Sequence, residues 1–312
     1  MSGMVENCPK ISQLFLENLG DSHFLKIPIT INISLNAVLA LSATLGNGII
    51  IVAILRSKDL QTPSYLLITS LAFTDLLIGL VFHPLLCVLY SYYLQGKTHE
   101  VCRMTKPVIF FLILAGFGSM LMVTCISIDR YLALTLRHRY NITVTKKRVC
   151  LSIVFAWSSA FLLAILNMPE ELFDIAFVAD SFFLLILFSI TCVFYIKSFR
   201  ALHLYTVQVQ AQHPNPLAGN FDVVRYKKTL RTMLVVLVCL VLCQAPNICS
   251  LALISFFDIK RLETVVFYYV ALALSCFNST INPIIYLIRF KDIRNTCVQM
   301  FKKSPLTITS PS

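Results

Sequence analysis

Seven long apolar runs separated by short polar connections organise the chain, centred on residues 29–55, 65–92, 108–134, 149–166, 175–199, 232–257 and 265–288. A bilayer's hydrocarbon core is ~30 Å thick and takes ~20 helical residues to cross, so each run is long enough to span it. The pattern predicts an all-α membrane protein with a seven-transmembrane helix bundle over 29–288. Residues 1–28 are expected to be a weakly structured polar segment, and 289–312 a short carboxyl end. Met1 to Asp21 lacks a basic start followed by an apolar core, so the first run is expected to direct its own insertion. The sixth run, VVLVCLVLCQAPNICS, contains Pro246. In a water-exposed helix a proline costs about 3 kcal/mol, because it removes a backbone hydrogen bond and clashes with the preceding turn. Inside a membrane bundle, neighbouring helices and water re-satisfy the freed carbonyl, so Pro246 is expected to kink the helix rather than end it.

Composition agrees with that solvent: 57% of the residues are hydrophobic, 13% are charged and the mean hydropathy is +0.79, which excludes a soluble globular domain. Of the 26 Lys and Arg, 19 fall on the side holding Arg56, Arg137 to Arg148, Arg225 to Arg231 and the carboxyl end, and 7 fall on the other. Because cytoplasmic loops carry the basic excess, the amino end is expected outside and the carboxyl end inside. The net charge of +11 then reports topology and lipid headgroups, and nothing in it calls for nucleic acid. Of the eleven cysteines, those inside apolar runs (Cys125, Cys192, Cys239, Cys243) read as small core residues. Cys8 and Cys102 face the expected exterior, where a bridge between them and two free thiols are both open. Asn32 begins an Asn-Ile-Ser glycosylation sequon but sits at the membrane edge.

Polar side chains inside hydrocarbon are functional candidates by default. Asp75, in LAFTDLLIGL, has no basic partner in its own run, and other runs offer Asn47, Ser119, Asn278 and Asn282. Asn278 and Asn282 are four residues apart and share a helix face. A carboxylate among hydroxyl and amide oxygens is a hard-oxygen site suited to a small cation such as Na⁺; the same groups also serve to hydrogen-bond helices together. A second constellation lies at the expected inner ends: SIDRYLAL with Asp129, Arg130 and Tyr131, and NPIIY with Asn282, Pro283 and Tyr286.

With these motifs in order, the chain resembles a rhodopsin-like G-protein-coupled receptor. The matching positions are Asn47, Asp75, Asp129-Arg130-Tyr131, Trp157, Tyr195, Pro246 and Asn282-Pro283-x-x-Tyr286. The resemblance implies that Asp129 holds Arg130 at rest and that Arg130, once released, meets Tyr195, Tyr286 and a heterotrimeric G protein. It further implies an allosteric sodium site at Asp75, Ser119, Asn278 and Asn282, with no other cofactor required. An extracellular ligand, membrane lipids and arrestin are the other implied partners. After NPIIY, the stretch RFKDIRNTCVQMFKK is similar to the family's amphipathic eighth helix, with Phe290, Ile293, Val298 and Phe301 among basic residues and Cys297 as a palmitoylation candidate.

The chain also departs from that family's pattern. Two residues before Pro246, where an aromatic switch is usual, stands Gln244; the fifth-run proline position is Leu187; the sixth-helix acid position is Tyr226; and the loop 167–174 has no cysteine. The short loop and missing proline are similar to the melanocortin, cannabinoid, lysophospholipid and adenosine branch. The position of the amine receptors' aspartate, eighteen residues before Arg130, is Leu112, and the opsin lysine position is Cys276, so neither an amine nor a retinal ligand is expected. Phe111, Leu112, Phe183, Gln244, Asn247, Leu251 and Leu272 remain as the expected pocket, apolar walls with two amides suited to a small neutral or lipid-like ligand, or simply to packing the bundle. Glu170, Glu171, Asp174 and Asp180 form either an acidic outer rim that attracts a basic peptide or a solvated loop. The expected function is ligand-gated activation of G proteins without bond-making chemistry, since no HExxH, nucleophile elbow or phosphate loop occurs. A receptor-like protein that acts only by pairing with other receptors is the alternative, and a transporter, which would show repeats or several buried charges, a more distant one.

Overall fold

The computed structural model describes residues 23–136, 139–212, 235–253 and 262–302. Among them every regular element is helical: α1 (His23–Arg56), α2 (Pro63–Leu94), α3 (Thr98–Leu136), α4 (Lys146–Leu166), α5 (Glu170–Gln212), α6 (Val235–Leu253), α7 (Leu262–Arg289) and α8 (Lys291–Lys302). The first seven are long and apolar enough to cross a membrane. Their outer surface is apolar, with Leu41, Leu45, Leu151, Phe155, Leu242 and Ile288 all more than half exposed. Such a surface is stable only against hydrocarbon, and the protein is a multi-pass membrane protein.

The helices extend past the hydrophobic runs. α1 already begins at His23, so residues 23–28 are helical rather than weakly structured, with Pro28 inside the helix. α5 starts at Glu170 and runs 43 residues, well beyond the apolar window on the basic side. Hydropathy marks where a helix meets lipid, while backbone hydrogen bonding continues it into the headgroup region.

Local chemistry sets the connections. α2 ends in a Schellman cap: Gly96, at φ 66°, donates its N–H to the Tyr93 carbonyl, and Lys97 donates to Tyr92. Thr145 caps α4 by accepting from the Arg148 N–H. Mid-way along α2, residues Ile78–Phe82 widen into a π-helical turn. This brings Gly79 so close to α1 that a Cβ there would lie 2.6 Å from Thr44 Oγ1 and 2.8 Å from the Thr44 backbone nitrogen. Gly79→Ala is therefore expected to lower the thermal midpoint, overpacking of this kind costing about 1–3 kcal/mol. Gly48→Ala, with nothing within 4 Å, is expected to leave it unchanged; equal midpoints would contradict this account of the α1–α2 contact.

α3 is the central helix, packed against α2, α4 and α5, while α1 packs against α2, α7 and α8. One apolar cluster fills the basic end, with Ile54, Leu71, Met122, Leu240 and Ile293; another fills the opposite end around Phe82, Leu86, Tyr90, Val101 and Tyr268. Hydrogen bonds tie the helices between these clusters. Trp157 Nε1 donates to Ser70 Oγ at 3.1 Å, Asn47 Nδ2 to the Ser279 carbonyl at 2.9 Å, and Thr124 meets Thr191 at 2.8 Å. His83 Nδ1 lies 2.6 Å from Asn36 Oδ1, joining α2 to α1. In membranes such bonds average about 0.6 kcal/mol each, so they fix helix rotation more than they add stability.

Candidate ligand cavity and polar core

Three polar sites lie one below another along the bundle axis. The first is a cavity among α2, α3, α5, α6 and α7, on the side the charge pattern places outside. Leu112, Gln244, Asn247, Leu251 and Leu272 line it, together with Phe82, Phe117, Tyr268 and Met120. Phe111 and Phe183 are not among its lining residues. Phe111 packs edge-on against Phe110 at 5.4 Å, and Phe183 is 50% exposed on the outer face of α5. In a fully apolar helix the composition does not mark which face turns inward, and this misplaced both. Ser275 Oγ donates to Gln244 Oε1 at 2.9 Å, so the amide beside Pro246 binds α6 to α7 at the cavity wall. α6 stays helical on both sides of Pro246.

The expected acidic rim divides. Glu170 pairs with Lys106 at 2.8 Å and Glu171 is exposed, as rim residues would be. Asp180 instead is 7% exposed and lines the cavity, its Oδ2 accepting from Asn167 Nδ2 at 2.8 Å. The side chain of Asp174 lies outside the described residues.

The cavity descends to Ser119, Asn278 and Ser279, and beside Ser279 is the second site. Asp75 is wholly buried. Its Oδ1 accepts from Ser279 Oγ and its Oδ2 from Asn282 Nδ2, both at 2.7 Å. Ser279 was not anticipated; it is the middle of three adjacent polar residues on α7, Asn278, Ser279 and Thr280, and helix rotation decides which faces α2. Ser119 and Asn278 line the adjacent cavity without bonding the carboxylate. No ion pair among the described residues involves Asp75. A buried carboxylate with no cation paired to it among the described residues, beside the Ser279 hydroxyl and the Asn282 amide, is a hard-oxygen group of the kind that small cations take.

The third site is at the basic end. Arg130 Nη2 donates to Asp129 Oδ2 at 2.7 Å, and Asp129 also accepts from Ser64 Oγ at 2.9 Å and from the Tyr140 hydroxyl at 2.5 Å. Ser64 and Tyr140 lie 2.9 Å apart, closing a network between α2, α3 and the short helix Tyr140–Thr143. Burial first, and the Asp129 carboxylate next, raise the Tyr140 phenol above its ordinary pKa, keeping it a neutral donor. Neither partner of Asp129 was foreseen, because they come from positions 65 residues before it and 11 after it. Tyr131 points away, edge-on to Phe194 at 5.5 Å. Arg130, Tyr195, Tyr286 and Arg289 line a smaller cavity, shared with Asn278 and Asn282. The Tyr286 hydroxyl is buried there without a hydrogen-bond partner among the described residues.

The model of the 7 transmembrane receptor (rhodopsin family) matches residues 46–286, most of the bundle. The chain belongs to this family. Relatives include cannabinoid receptor 1 of Xenopus laevis, 27% identical over 86% of this chain and 62% of that receptor. Adenosine receptor A3 of Ovis aries is 27% identical over 86% of this chain and 89% of its own, and the histamine H2 receptor of Rattus norvegicus 26% over 90% and 81%. The chain thus spans under two thirds of the cannabinoid receptor's length and most of the other two. Members of this family are receptors, not enzymes.

Several rhodopsin-family positions need correction or lie elsewhere. Cys297 is 5% exposed and packs with Ile293 into the core beneath α8. A thiol facing inward is not presented to an acyl donor, so the palmitoylation candidate is withdrawn. Cys102 is disulfide-bonded, while Cys8 lies outside the described residues. Tyr226, at the family's sixth-helix acid position, also lies outside them. Pro283 is buried in α7 and meets α1 at Gly46, where a Cβ would sit 2.9 Å from Pro283 Cγ.

Proposed function

We propose that this protein is a ligand-gated activator of heterotrimeric G proteins in the plasma membrane, with its amino terminus outside. The observation that carries this reading is the stacking of the three sites: a cavity open to one side, a buried carboxylate at its floor, and a restrained arginine below it. A ligand that draws Gln244 or Asn247 toward itself would alter α6 on either side of Pro246. The inner half of α6 would then move relative to α3, opening the space where Arg130, Tyr195 and Tyr286 meet. The Tyr286 hydroxyl, without a hydrogen-bond partner among the described residues, supports a second arrangement in which Arg130 or a bridging water reaches it. In this reading Asp75 and its neighbours hold Na⁺ in the resting arrangement, arrestin shares the inner surface, and the ligand enters from outside.

The Ser275–Gln244 bond is a restraint on that motion. Gln244→Leu is expected to raise ligand-free second-messenger output in transfected cells by about threefold, as one hydrogen bond of ~0.6 kcal/mol between α6 and α7 is lost. Cells expressing the wild type are expected to exceed empty vector. Output equal to empty vector in both, at normal surface expression, would contradict signalling and favour a receptor-like partner protein.

A further inference from the structure

The receptor reading leaves the ligand's chemistry open, and the cavity lining narrows it. Among the described residues that line it there is a single formal charge, Asp180, with no Lys, Arg or His to balance it. Asn167 occupies one carboxylate oxygen. The other, Oδ1, is buried without a hydrogen-bond partner among the described residues, and so is Asn247 Oδ1 on the α6 wall of the same cavity. Both unmatched atoms are acceptors, and buried acceptors are ordinarily matched by donors. The remaining wall is mainly apolar and aromatic, including Phe82, Phe117, Phe177 and Tyr268.

From this geometry we infer that the cavity takes a small arylalkyl ligand carrying a protonated amine, whose charge is held by Asp180 from α5 and whose apolar body lies toward α3 and α7. This inference rests on the receptor reading only in taking the cavity as the ligand site. An anionic lipid headgroup or a carboxylate would meet Asp180 as a like charge with no cation among the described lining residues, and a neutral lipid would leave both acceptors unmatched. The position also differs from an anchor on α3, where Leu112 stands. Asn167 orients the carboxylate through its first oxygen and acts as a positioning residue. Asn247 supplies the second acceptor on the helix that carries Pro246, so one donor-bearing ligand bridges α5 and α6.

The test is thermal unfolding of the purified full-length protein, which needs no G protein. The probes are 2-phenylethylamine and tryptamine, with 2-phenylethanol and tryptophol as neutral counterparts and 3-phenylpropanoate and indole-3-propanoate as anionic ones. On the wild type, the amines are expected to raise the midpoint at concentrations at least about tenfold below their neutral counterparts, the scale of a charge-assisted hydrogen bond, and the anions not at all. Asp180→Asn, which keeps an acceptor for Asn167, is expected to erase the amine advantage. Equal shifts across the three classes, an anion preference, no shift by either amine, or an amine advantage that survives Asp180→Asn would each overturn the inference. The wild-type ranking decides the matter even if the variant does not fold. Amine binding without nucleotide exchange on G proteins would contradict the receptor reading alone; exchange without an amine preference would contradict only this inference.

Discussion

Asp75→Asn is expected to remove all response of the protein to sodium while leaving the bundle folded. In the wild type, thermal midpoints in sodium chloride are expected to exceed those in N-methylglucamine chloride at matched ionic strength, because a bound ion stabilises the state that holds it. The asparagine variant keeps an acceptor for Ser279 or Asn282 but loses the charge that a cation requires. Asp75→Ala goes further, leaving two buried donors without an acceptor at roughly 1–3 kcal/mol each. It is expected to depress the midpoint in either salt. A sodium effect that persists in Asp75→Asn would contradict a sodium site at this carboxylate.

Arg130→Ala is expected to reduce G-protein activation to background, a loss of at least about a hundredfold, while surface expression and ligand binding persist. Arg130 is the cation common to the Asp129 network and the inner cavity, and its removal leaves Arg289, which has no bond to Asp129, as the only cation among the described residues lining that cavity. An arginine at a membrane boundary needs a hydrogen-bond partner in each state, which Asp129 supplies here and which, in the proposed active arrangement, the Tyr195 and Tyr286 side would supply. Asp129→Asn should move output the opposite way, because the neutral amide still satisfies Ser64 or Tyr140 but no longer holds Arg130 by charge. Raised activity from Arg130→Ala, or no change from either variant, would contradict this arrangement, as would identical effects of the two.

The sequence pattern makes the spans legible because hydrocarbon demands long apolar stretches, and all seven appear where hydropathy places them. Rotation is harder to read. A lipid-facing helix is apolar on both faces, so nothing in the composition of α5 distinguishes exposed Phe183 from cavity-lining Asp180, and the charge of Asp180 suggests a solvated rim rather than an inward face. The same ambiguity makes Asn278 the expected partner of Asp75 when Ser279, next in the chain, takes that place. On α8 the apolar positions identify an amphipathic helix, yet Cys297 turns toward the core alongside Ile293. The Asp129 network is illegible for another reason: Ser64 and Tyr140 are ordinary polar residues until tertiary packing brings them to one carboxylate. Motif residues are readable because their chemistry is unusual in a membrane, whereas their partners are not.

The central claim, ligand-gated activation of G proteins through Arg130, is tested most directly by nucleotide exchange on purified heterotrimers reconstituted with the full-length protein in nanodiscs. Across a set of heterotrimers from the main Gα classes, at least one is expected to exchange faster with the wild type than with empty nanodiscs. Arg130→Ala is expected to return that rate to background and Asp129→Asn to raise it. Folded wild-type protein that accelerates none of them, or an Arg130→Ala variant as active as the wild type, would contradict the account.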